Sequence, residues 1–334
     1  MRKLVNDPFA VVDEMVDALE AAYPRQLAVT PSRRGVVSTA RTAGRRVGVL
    51  TGGGSGHEPA FFGYLGPGFA DGAALGNVFA SPSATPIVEV AERVDRGAGV
   101  LFVYGNYDGD VMNFEMASEL LEEREIRTLH LRVSDDLASE PPERRERRRG
   151  VAGDVFVLKA AGARADEGAP LDEVHAAAAH ANERTRTVGV ALGPCTVPAA
   201  GRPTFELPEG MMDVGMGLHG EAGISRRKLA PADEVADELL ELILGELRPD
   251  GPVWVLVNTL GATPMMEGLL VLRRVARSLE AQGIPLHRAR AGEYATSLEM
   301  AGVSLTVCAL DDELRRLLDA PGRSLAAPPM DEPW

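Results

Sequence analysis

The chain contains little cysteine and no long apolar run, and these absences exclude several classes of protein. Its 334 residues include two cysteines, Cys195 and Cys308, which lie far apart and form no Cys-x-x-Cys pair. We therefore expect neither a disulfide framework nor a zinc site, as is usual in a reducing compartment. The sequence has no apolar run of about 18 residues that would predict a membrane span. The N-terminus also lacks the apolar segment of a signal peptide, so we expect a cytoplasmic protein.

Basic residues are also in the minority. The chain has 35 Lys and Arg against 49 Asp and Glu, which gives a formal net charge of −14. Because nucleic acids and anionic membranes attract basic surfaces, this balance argues against both as partners. Hydrophobic residues make up 45% of the chain, which is enough for a sizeable core. The length fits two domains of roughly 150 residues each.

Apolar strands alternate with helical patterns in the first half of the chain. Val47–Leu50 and Gly99–Tyr104 predict buried strands, and Met112–Glu125 predicts a helix. This alternation indicates an α/β domain of three layers around a largely parallel sheet. For the second half we expect a smaller α/β domain with a mixed sheet. We place the boundary so that the two domains span residues 1–184 and 185–334.

A charged break with two prolines occupies residues 134–150, with the sequence SDDLASEPPERRERRRG. Its composition predicts a loop that lies in solvent. A phosphate-binding patch formed by Arg144–Arg149 is the alternative interpretation.

A glycine run follows the first of these strands, in the stretch Thr51-Gly-Gly-Gly-Ser-Gly-His57-Glu-Pro59. Glycines let the backbone approach a ligand and point N–H groups at its oxygens, although a tight strand-to-helix turn would use the same residues. The stretch is not a P-loop, since no Gly-Lys-Ser/Thr follows, and His57 stands where a dinucleotide fingerprint needs its third glycine. A side chain that can carry protons at the C-terminal end of a strand indicates a ligand site.

A second polar loop, Gly105-Asn-Tyr-Asp-Gly-Asp110, follows the other strand. Its carboxylates could act as a general base or bind hydroxyl groups. Calcium binding is a rival interpretation, but the final Glu ligand of a calcium loop is missing. A simple Asx-rich turn would also explain the sequence.

The third candidate stretch is Gly215-Met-Gly-Leu-His219-Gly-Glu221, in which three glycines surround one histidine. A structural histidine more often lies on a helix face, whereas a ligand could reach either ring nitrogen of His219 in an extended, glycine-lined segment. For the other four histidines we expect structural or surface roles; these are His130, His175, His180 and His287.

Several stretches occur together in an order that resembles a known family. They are GGGSGHEPA, NYDGDVMNFEMA, RRGVAG, GVALGPCTVPAAGRPTFEL, GMGLHGE, VNTLGATP and ATSLEMAG. In this order they resemble the dihydroxyacetone kinase K subunit and the matching half of single-chain dihydroxyacetone kinases. The resemblance runs from about residue 3 to about residue 320. It implies two α/β domains, usually assembled as a homodimer.

The resemblance also implies roles for three side chains. His219 would attack the ketone carbon of a small ketose and hold it as a covalent hemiaminal through a ring nitrogen. Asp110 would be the general base that accepts the proton of the attacking terminal hydroxyl. His57 would assist hemiaminal formation and bond the substrate oxygen. The substrate-binding positions implied in the same way are Gly54, Ser55, Gly56 and Ser81.

The chain departs from the common family pattern at three positions near these residues. Many members have Lys where this chain has Gly105, His where it has Phe61, and Thr where it has Ala80. The variations are similar to those of a branch that includes kinases for the four-carbon ketose erythrulose. Dihydroxyacetone and erythrulose therefore both remain candidate substrates.

No part of the sequence resembles a Walker A loop or the Asp-rich magnesium site of the family's L domain. The resemblance therefore implies no cofactor or metal in this chain, and ADP or ATP with magnesium on an L-type partner. The phosphoryl group could come from ATP or from a phosphohistidine relay. A ketose-binding sensor in transcription control is the alternative function, although Asp110 and His57 favour an enzyme. A dinucleotide-dependent oxidoreductase is disfavoured because the glycine fingerprint fails.

Overall fold

The chain divides into two compact units in a computed structural model that describes residues 3–40 and 44–326. Of the described residues, unit 1 comprises 3–40, 44–133, 154–181 and 316–326, and unit 2 comprises 134–153 and 182–315. The chain passes from unit 1 to unit 2 for the second time at Asn182, whereas the predicted boundary is at residue 184. Unlike that single boundary, the observed division gives Ser134–Gly153 to unit 2 and returns the chain to unit 1 at Arg316. Residues 327–334 of the predicted second domain lie outside the described residues.

Helices and strands alternate through most of the described chain. The helices are α1 (Val11–Ala22), α2 (Ala84–Val94), α3 (Asp108–Glu122), α4 (Asp154–Asp166), α5 (Leu171–Glu183), α6 (Ala232–Glu246), α7 (Met265–Ala281) and α8 (Asp312–Asp319). The strands are β1 (Leu27–Val29), β2 (Gly35–Ser38), β3 (Gly48–Ser55), β4 (Gly72–Val78), β5 (Val100–Gly105), β6 (Thr128–Val133), β7 (Thr185–Gly193), β8 (Met211–Val214), β9 (Ser225–Lys228), β10 (Val253–Thr259), β11 (Leu286–Gly292) and β12 (Ala301–Ala309).

The sheet of unit 1 has the strand order β1-β2-β4-β3-β5-β6. Strands β4, β3, β5 and β6 run parallel, and β1 and β2 add an antiparallel edge. Every residue of β3 and β5 is buried, as is typical of parallel strands covered on both faces. Helices α2 and α3 bury one face of the sheet, where Phe114 stacks on Tyr104 with ring centroids 4.2 Å apart. The predicted α/β class with a largely parallel first sheet is confirmed.

The sheet of unit 2 is mixed, with the order β11-β10-β12-β7-β8-β9. Only β10 and β11 pair in parallel among these strands. Helices α6 and α7 pack against its apolar residues and form one core with them. None of the described helices is both long enough and apolar enough to cross a membrane.

The charged segment 134–150 differs from the solvated loop that its composition predicts. The side chain of Arg148 is fully buried, and its two terminal nitrogens each lie 2.7 Å from a carboxylate oxygen of Glu246. Asp135 is also fully buried and accepts the backbone N–H groups of Val151 and Gly153, both at 2.8 Å. The interpretation as a solvated loop was therefore wrong for these residues. The charges are buried because each has a partner, and they fix the segment onto unit 2.

The ion pair between Arg148 and Glu246 gives a stability prediction. Glu246→Gln keeps the side-chain shape but leaves the buried guanidinium without its carboxylate, so the free energy of unfolding should fall by roughly 3 kcal/mol. Urea denaturation of the purified chain measures this loss. Glu241→Gln, an exposed position on the same helix, is the control and should change the free energy by less than about 0.5 kcal/mol. Equal stability of the two variants would show that the ion pair does not anchor the segment.

Candidate functional site

His57, Ser81 and Asp110 lie at one edge of the sheet in unit 1. His57 follows the end of β3, and Asp110 follows the end of β5 through a short turn. Strands β3, β4 and β5 are neighbours and parallel, so their carboxyl ends meet at the same edge. Open α/β sheets bind their ligands at such an edge. The fold thus places His57, Ser81 and Asp110, three of the four side chains that the sequence predicts for this half of the chain, after strand ends at one edge; the fourth, Ser55, ends β3 at the same edge.

His57 is nearly buried, and its ring is held by an aromatic neighbour. The imidazole stacks on Phe79, with ring centroids 4.9 Å apart and an angle of 11° between the rings. Phe79 follows the end of β4. The stacking fixes the plane of the imidazole and thereby limits the directions in which its two nitrogens can form hydrogen bonds.

The glycine turn before His57 is packed tightly against the loop after β4. A Cβ atom at Gly54 would lie 2.6 Å from the backbone nitrogen of Ala80, so only glycine fits there. The Ser55 hydroxyl donates to the carbonyl of Gly76 at 2.8 Å. The Gly56 N–H donates to the carboxylate of Glu58 at 3.0 Å. In this structure the Ser55 and Gly56 donors bond to the protein itself, and their role in substrate binding stays a prediction.

Glu58 is a half-buried carboxyl group that follows His57 directly in the chain. Burial raises the pKa of Glu58, and the hydrogen bond from the Gly56 N–H only partly opposes this rise. A carboxyl group with a raised pKa next to His57 can hold a proton over a wider pH range than an exposed glutamate. The sequence pattern around Glu58 indicates no role for this residue.

Asp110 lies in the first turn of α3 and is 8% exposed. The backbone N–H groups at a helix N-terminus favour a negative charge, as a general base requires. The same helix reaches Ser81, whose hydroxyl accepts a hydrogen bond from the Asn113 amide at 3.2 Å. Ser81 and Asp110 are therefore tied to the same helix terminus.

Gly105 is the last residue of β5 and pairs with Val133 of β6. The backbone turns directly after it, since the Tyr107 N–H donates to the Gly105 carbonyl at 2.8 Å. A side chain at position 105 would project from the same strand end that leads to Asp110.

Within residues 3–40 and 44–326, no group of His, Cys, Asp or Glu is arranged to hold a metal ion.

His219 belongs to unit 2 and lies in the loop after β8. The carboxylate of Glu221 accepts two hydrogen bonds from this one residue. The backbone N–H of His219 donates to Oε2 at 2.9 Å, and the ring Nδ1 lies 3.0 Å from Oε1. Because an ionised carboxylate only accepts, Nδ1 carries the proton and the lone pair of the neutral ring is on Nε2. The side chain of His219 is 27% exposed.

Glu221 is held by the segment that composition alone predicted to be a loop. Arg149 Nη1 lies 3.5 Å from Glu221 Oε2, and Arg149 Nε donates to Asp136 at 2.9 Å. A Cβ atom at Gly217 would lie 2.2 Å from Glu221 Oε2 and 2.4 Å from Arg149 Nη1. A side chain at position 217 would force the ends of these two side chains to move. Glu221 and Arg149 both stand in the stretches that carry the family resemblance, but it implies no role for either in the site.

The charges in this chain of contacts perturb one another. Burial alone would raise the pKa of Glu221, but three effects hold it at about 2: the hydrogen bond from His219, the positive charge that the His219 ring carries at such a low pH, and the charge of Arg149. Burial raises the pKa of Asp136 to about 6, although Arg149 opposes the rise. Glu221 is therefore ionised at any neutral pH.

Residues from three of the quoted stretches support the His219 loop. The Ser297 hydroxyl donates to the Leu218 carbonyl, and Cys195 Sγ lies 3.4 Å from the same hydroxyl. The fully buried Asn258 fixes the turn before Ser297, because its amide oxygen accepts the N–H groups of Tyr294 and Ala295 at 2.8 and 3.0 Å. Cys195 is thus a packing residue of this loop.

Comparison with known proteins shows the family to which the chain belongs. A family model described as the Dak1 domain matches residues 17–326. The chain is 44% identical over 324 residues to the Listeria innocua PTS-dependent dihydroxyacetone kinase 2, dihydroxyacetone-binding subunit DhaK, covering 96% of this chain and 97% of that protein. It is 45% identical over 327 residues to the L-erythrulose 1-kinase of Mycolicibacterium smegmatis, covering 96% of this chain and 57% of that protein. The chain therefore spans a whole binding subunit but little more than half of the longer kinase.

Solved structures named for dihydroxyacetone kinase or its operon also resemble this chain. The dihydroxyacetone kinase of C. freundii in complex with AMP-PNP and Mg2+ matches with a TM-score of 0.88 and 30% identity, covering 97% of this chain and 60% of that chain. A protein named as the dihydroxyacetone kinase operon co-activator Dha-DhaQ matches with a TM-score of 0.87 and 30% identity, covering 94% of this chain and 97% of that chain. The chain belongs to the family described by the Dak1 domain, with binding subunits named DhaK among its relatives.

Proposed function

We propose that this chain is the ketose-binding component of a dihydroxyacetone-type or erythrulose-type kinase and that it holds its substrate covalently on His219. The observation that carries the proposal is the contact of Glu221 with Nδ1 of His219. It leaves the ring lone pair on Nε2, and a neutral imidazole nitrogen with a lone pair is a nucleophile. The names of the relatives supply the class of substrate, a small ketose.

Formation of the hemiaminal from the ketone and neutral His219 consumes one proton, which comes from solvent. The Nε2 lone pair forms a bond to the ketone carbon, and the π electrons of the carbonyl move onto its oxygen. The oxygen takes up a proton and becomes the hydroxyl of a hemiaminal. The ring becomes positively charged and keeps its Nδ1 proton, which stays hydrogen-bonded to the carboxylate of Glu221. Holding the ketose by a bond fixes its orientation before phosphoryl transfer.

The roles proposed for the residues of unit 1 follow from the family resemblance. Asp110 accepts the proton of the terminal hydroxyl that attacks the phosphoryl group, and its place at a helix N-terminus supports a negative charge there. His57 assists formation of the hemiaminal, and its stacked ring is already oriented. Gly54, Ser55, Gly56, Ser81 and Gly105 are the proposed substrate-binding positions.

Phosphoryl transfer needs a nucleotide and metal ions, which we propose are carried by an L-type partner as ADP or ATP with magnesium. Two facts support this division of labour. The relative that this chain spans almost fully is named a binding subunit, whereas the erythrulose kinase that it matches is much longer. We propose further that the chain assembles as a homodimer, as the resemblance implies.

A second candidate function is a ketose-binding co-activator. The likeness to the structure named Dha-DhaQ favours it, because the two chains match over nearly their whole lengths. Retention of His57 and Asp110 favours the kinase, since a protein that only senses the ketose does not need a general base for phosphoryl transfer. The functions differ in whether the bound ketose is phosphorylated.

The covalent bond can be tested directly with dihydroxyacetone labelled with ¹³C at its carbonyl carbon. We expect binding to the purified chain to move the ¹³C NMR signal from the ketone region to that of a tetrahedral carbon. His219→Asn should abolish the new signal because no nucleophilic nitrogen remains at this position. The matched control is His287→Asn, on β11 of the same unit, which should retain it. An unchanged tetrahedral signal in His219→Asn would refute attachment at this residue.

The proposed base separates the kinase from the co-activator. In an assay with an L-type subunit, ATP and magnesium, Asp110→Asn should slow ketose phosphorylation by about 10²–10⁴-fold, the usual worth of a positioned general base. The hemiaminal should still form, whereas His57→Asn should impair it. The chain without the L-type subunit should be inactive. Full activity of Asp110→Asn would remove this residue from the mechanism, and no activity of the parent pair would favour the co-activator.

Gly105 predicts the size of the ketose. The missing Lys removes both a hydrogen-bond donor and its volume, so one more CHOH unit should fit, and its hydroxyl should replace the lost bond. We expect kcat/KM for one erythrulose enantiomer to equal or exceed that for dihydroxyacetone. Extra space alone shifts such ratios by only about 10–200-fold. Gly105→Lys, checked for unchanged thermal stability, should shift the ratio toward dihydroxyacetone. A preference of the parent for dihydroxyacetone over both enantiomers would contradict the prediction.

A further inference from the structure

We infer that Glu221 is a positioning residue that sets the reactive tautomer of His219, and that Arg149 and Asp136 hold Glu221 in place for this purpose. The inference rests on the proposed function, because it explains how His219 is made a nucleophile. It concerns residues of unit 2 alone, all of which lie in contact in one chain of charges. None of the three touches the ketose in this proposal.

The two hydrogen bonds of Glu221 leave its carboxylate a single orientation. The His219 backbone N–H occupies Oε2 at 2.9 Å, and Nδ1 occupies Oε1 at 3.0 Å. A backbone N–H can only donate, so the atom of residue 221 that faces the His219 N–H must be an acceptor. The ring nitrogen faces an atom that also only accepts, and it must therefore keep its proton.

Arg149 gives this carboxylate a fixed support. Its Nη1 lies 3.5 Å from Glu221 Oε2, while its Nε and Nη2 each lie 2.9 Å from Asp136 Oδ2. The Asp136 side chain is 6% exposed and that of Arg149 is 14% exposed. The planar guanidinium contacts both carboxylates in a fixed geometry that an ammonium group could not copy. The backbone of Arg149 is also tied down, since its N–H donates to the Ser139 hydroxyl at 3.1 Å.

The absence of a side chain at Gly217 supports a functional arrangement. A Cβ atom there would lie within 2.4 Å of both Glu221 Oε2 and Arg149 Nη1. The backbone at Gly217, two residues before His219, therefore passes close to the ion pair of Glu221 and Arg149. As the hemiaminal forms and the ring becomes cationic, the Glu221 carboxylate stabilises the new charge without moving, and Arg149 keeps that carboxylate ionised.

Glu221→Gln tests the inference because it replaces one of the two acceptor oxygens by an NH₂ group, which donates a hydrogen bond. The backbone N–H of His219 still needs an acceptor, so the amide oxygen should take that position and turn the NH₂ group toward Nδ1. The ring should then place its proton on Nε2 and its lone pair on Nδ1, which removes the nucleophile from the reactive position. An exchanged tautomer of a catalytic histidine is costly even when its geometry is intact.

The experiment measures the tautomer and the adduct separately on the full chain. ¹⁵N NMR of histidine-labelled protein should show a protonated Nδ1 in the parent and a protonated Nε2 in Glu221→Gln. With carbonyl-¹³C dihydroxyacetone, the apparent affinity for adduct formation should fall by at least about 10-fold, within the 10–100-fold range for losing a partner that orients a functional histidine. Glu209→Gln, the same change at an exposed position of unit 2, should behave as the parent in both measurements.

A second variant tests the support. Arg149→Met removes the guanidinium and leaves Glu221 unchanged, so we expect a mixture of tautomers and a weaker adduct in a chain that still melts cooperatively. If Nδ1 stays protonated and adduct affinity stays at the parental level in both variants, the inference is overturned. If the parent itself forms no adduct with dihydroxyacetone or erythrulose, the proposed function fails, and the ¹⁵N tautomer measurement alone decides the role of Glu221.

Discussion

The unit 2 site depends on the contact between one carboxylate and two nitrogens of the same residue. Glu221 accepts both the backbone N–H and the ring Nδ1 of His219, so the loop conformation and the protonation pattern of the ring are set together. The surrounding glycines serve this contact, since Gly217 leaves room for the charges below the loop. Ser297, in the connection between β11 and β12, ties the loop down by donating to the Leu218 carbonyl. The reactivity proposed for His219 is thus a property of its whole loop.

Paired buried charges hold the structure that carries this contact. Arg148 and Glu246 join the segment 134–150 to α6, and Arg149 joins Asp136 to Glu221. A buried charge is costly unless it is paired, so each pair selects one arrangement of the chain over the alternatives. The fork of a guanidinium adds direction to this selection, since it meets a carboxylate in one plane. The segment that looks most solvent-exposed by composition is therefore a framework of the site.

Much of the fold and half of the candidate site could be predicted from the sequence. The apolar runs of β3 and β5 identify buried parallel strands, and parallel neighbours must end at one edge, which brings His57 near Asp110. Edge strands β1 and β2 could not be predicted because they are too short to show a period. The support of Glu221 by Arg149 could not be predicted either, because contacts between distant residues leave no periodic signal. The resemblance implies a reactive His219, and the glycine-lined segment suggests that a ligand could reach it, but neither indicates which ring nitrogen carries the proton.

The unit 1 site suggests where substrate selectivity in this family can change without loss of the reaction. The Ser55 hydroxyl and the Gly56 N–H donate to the protein itself, and Gly54 is packed against the backbone of Ala80. Under the proposed function, a turn that is fixed by its own hydrogen bonds and by close packing has little freedom to adjust to a larger ketose. Adaptation is then expected at neighbouring positions. Phe61, Ala80 and Gly105, where this chain departs from the common pattern, lie at or after the ends of β3, β4 and β5. None of them has a proposed chemical role, so we propose that substrate size can change while His57, Asp110 and His219 stay the same.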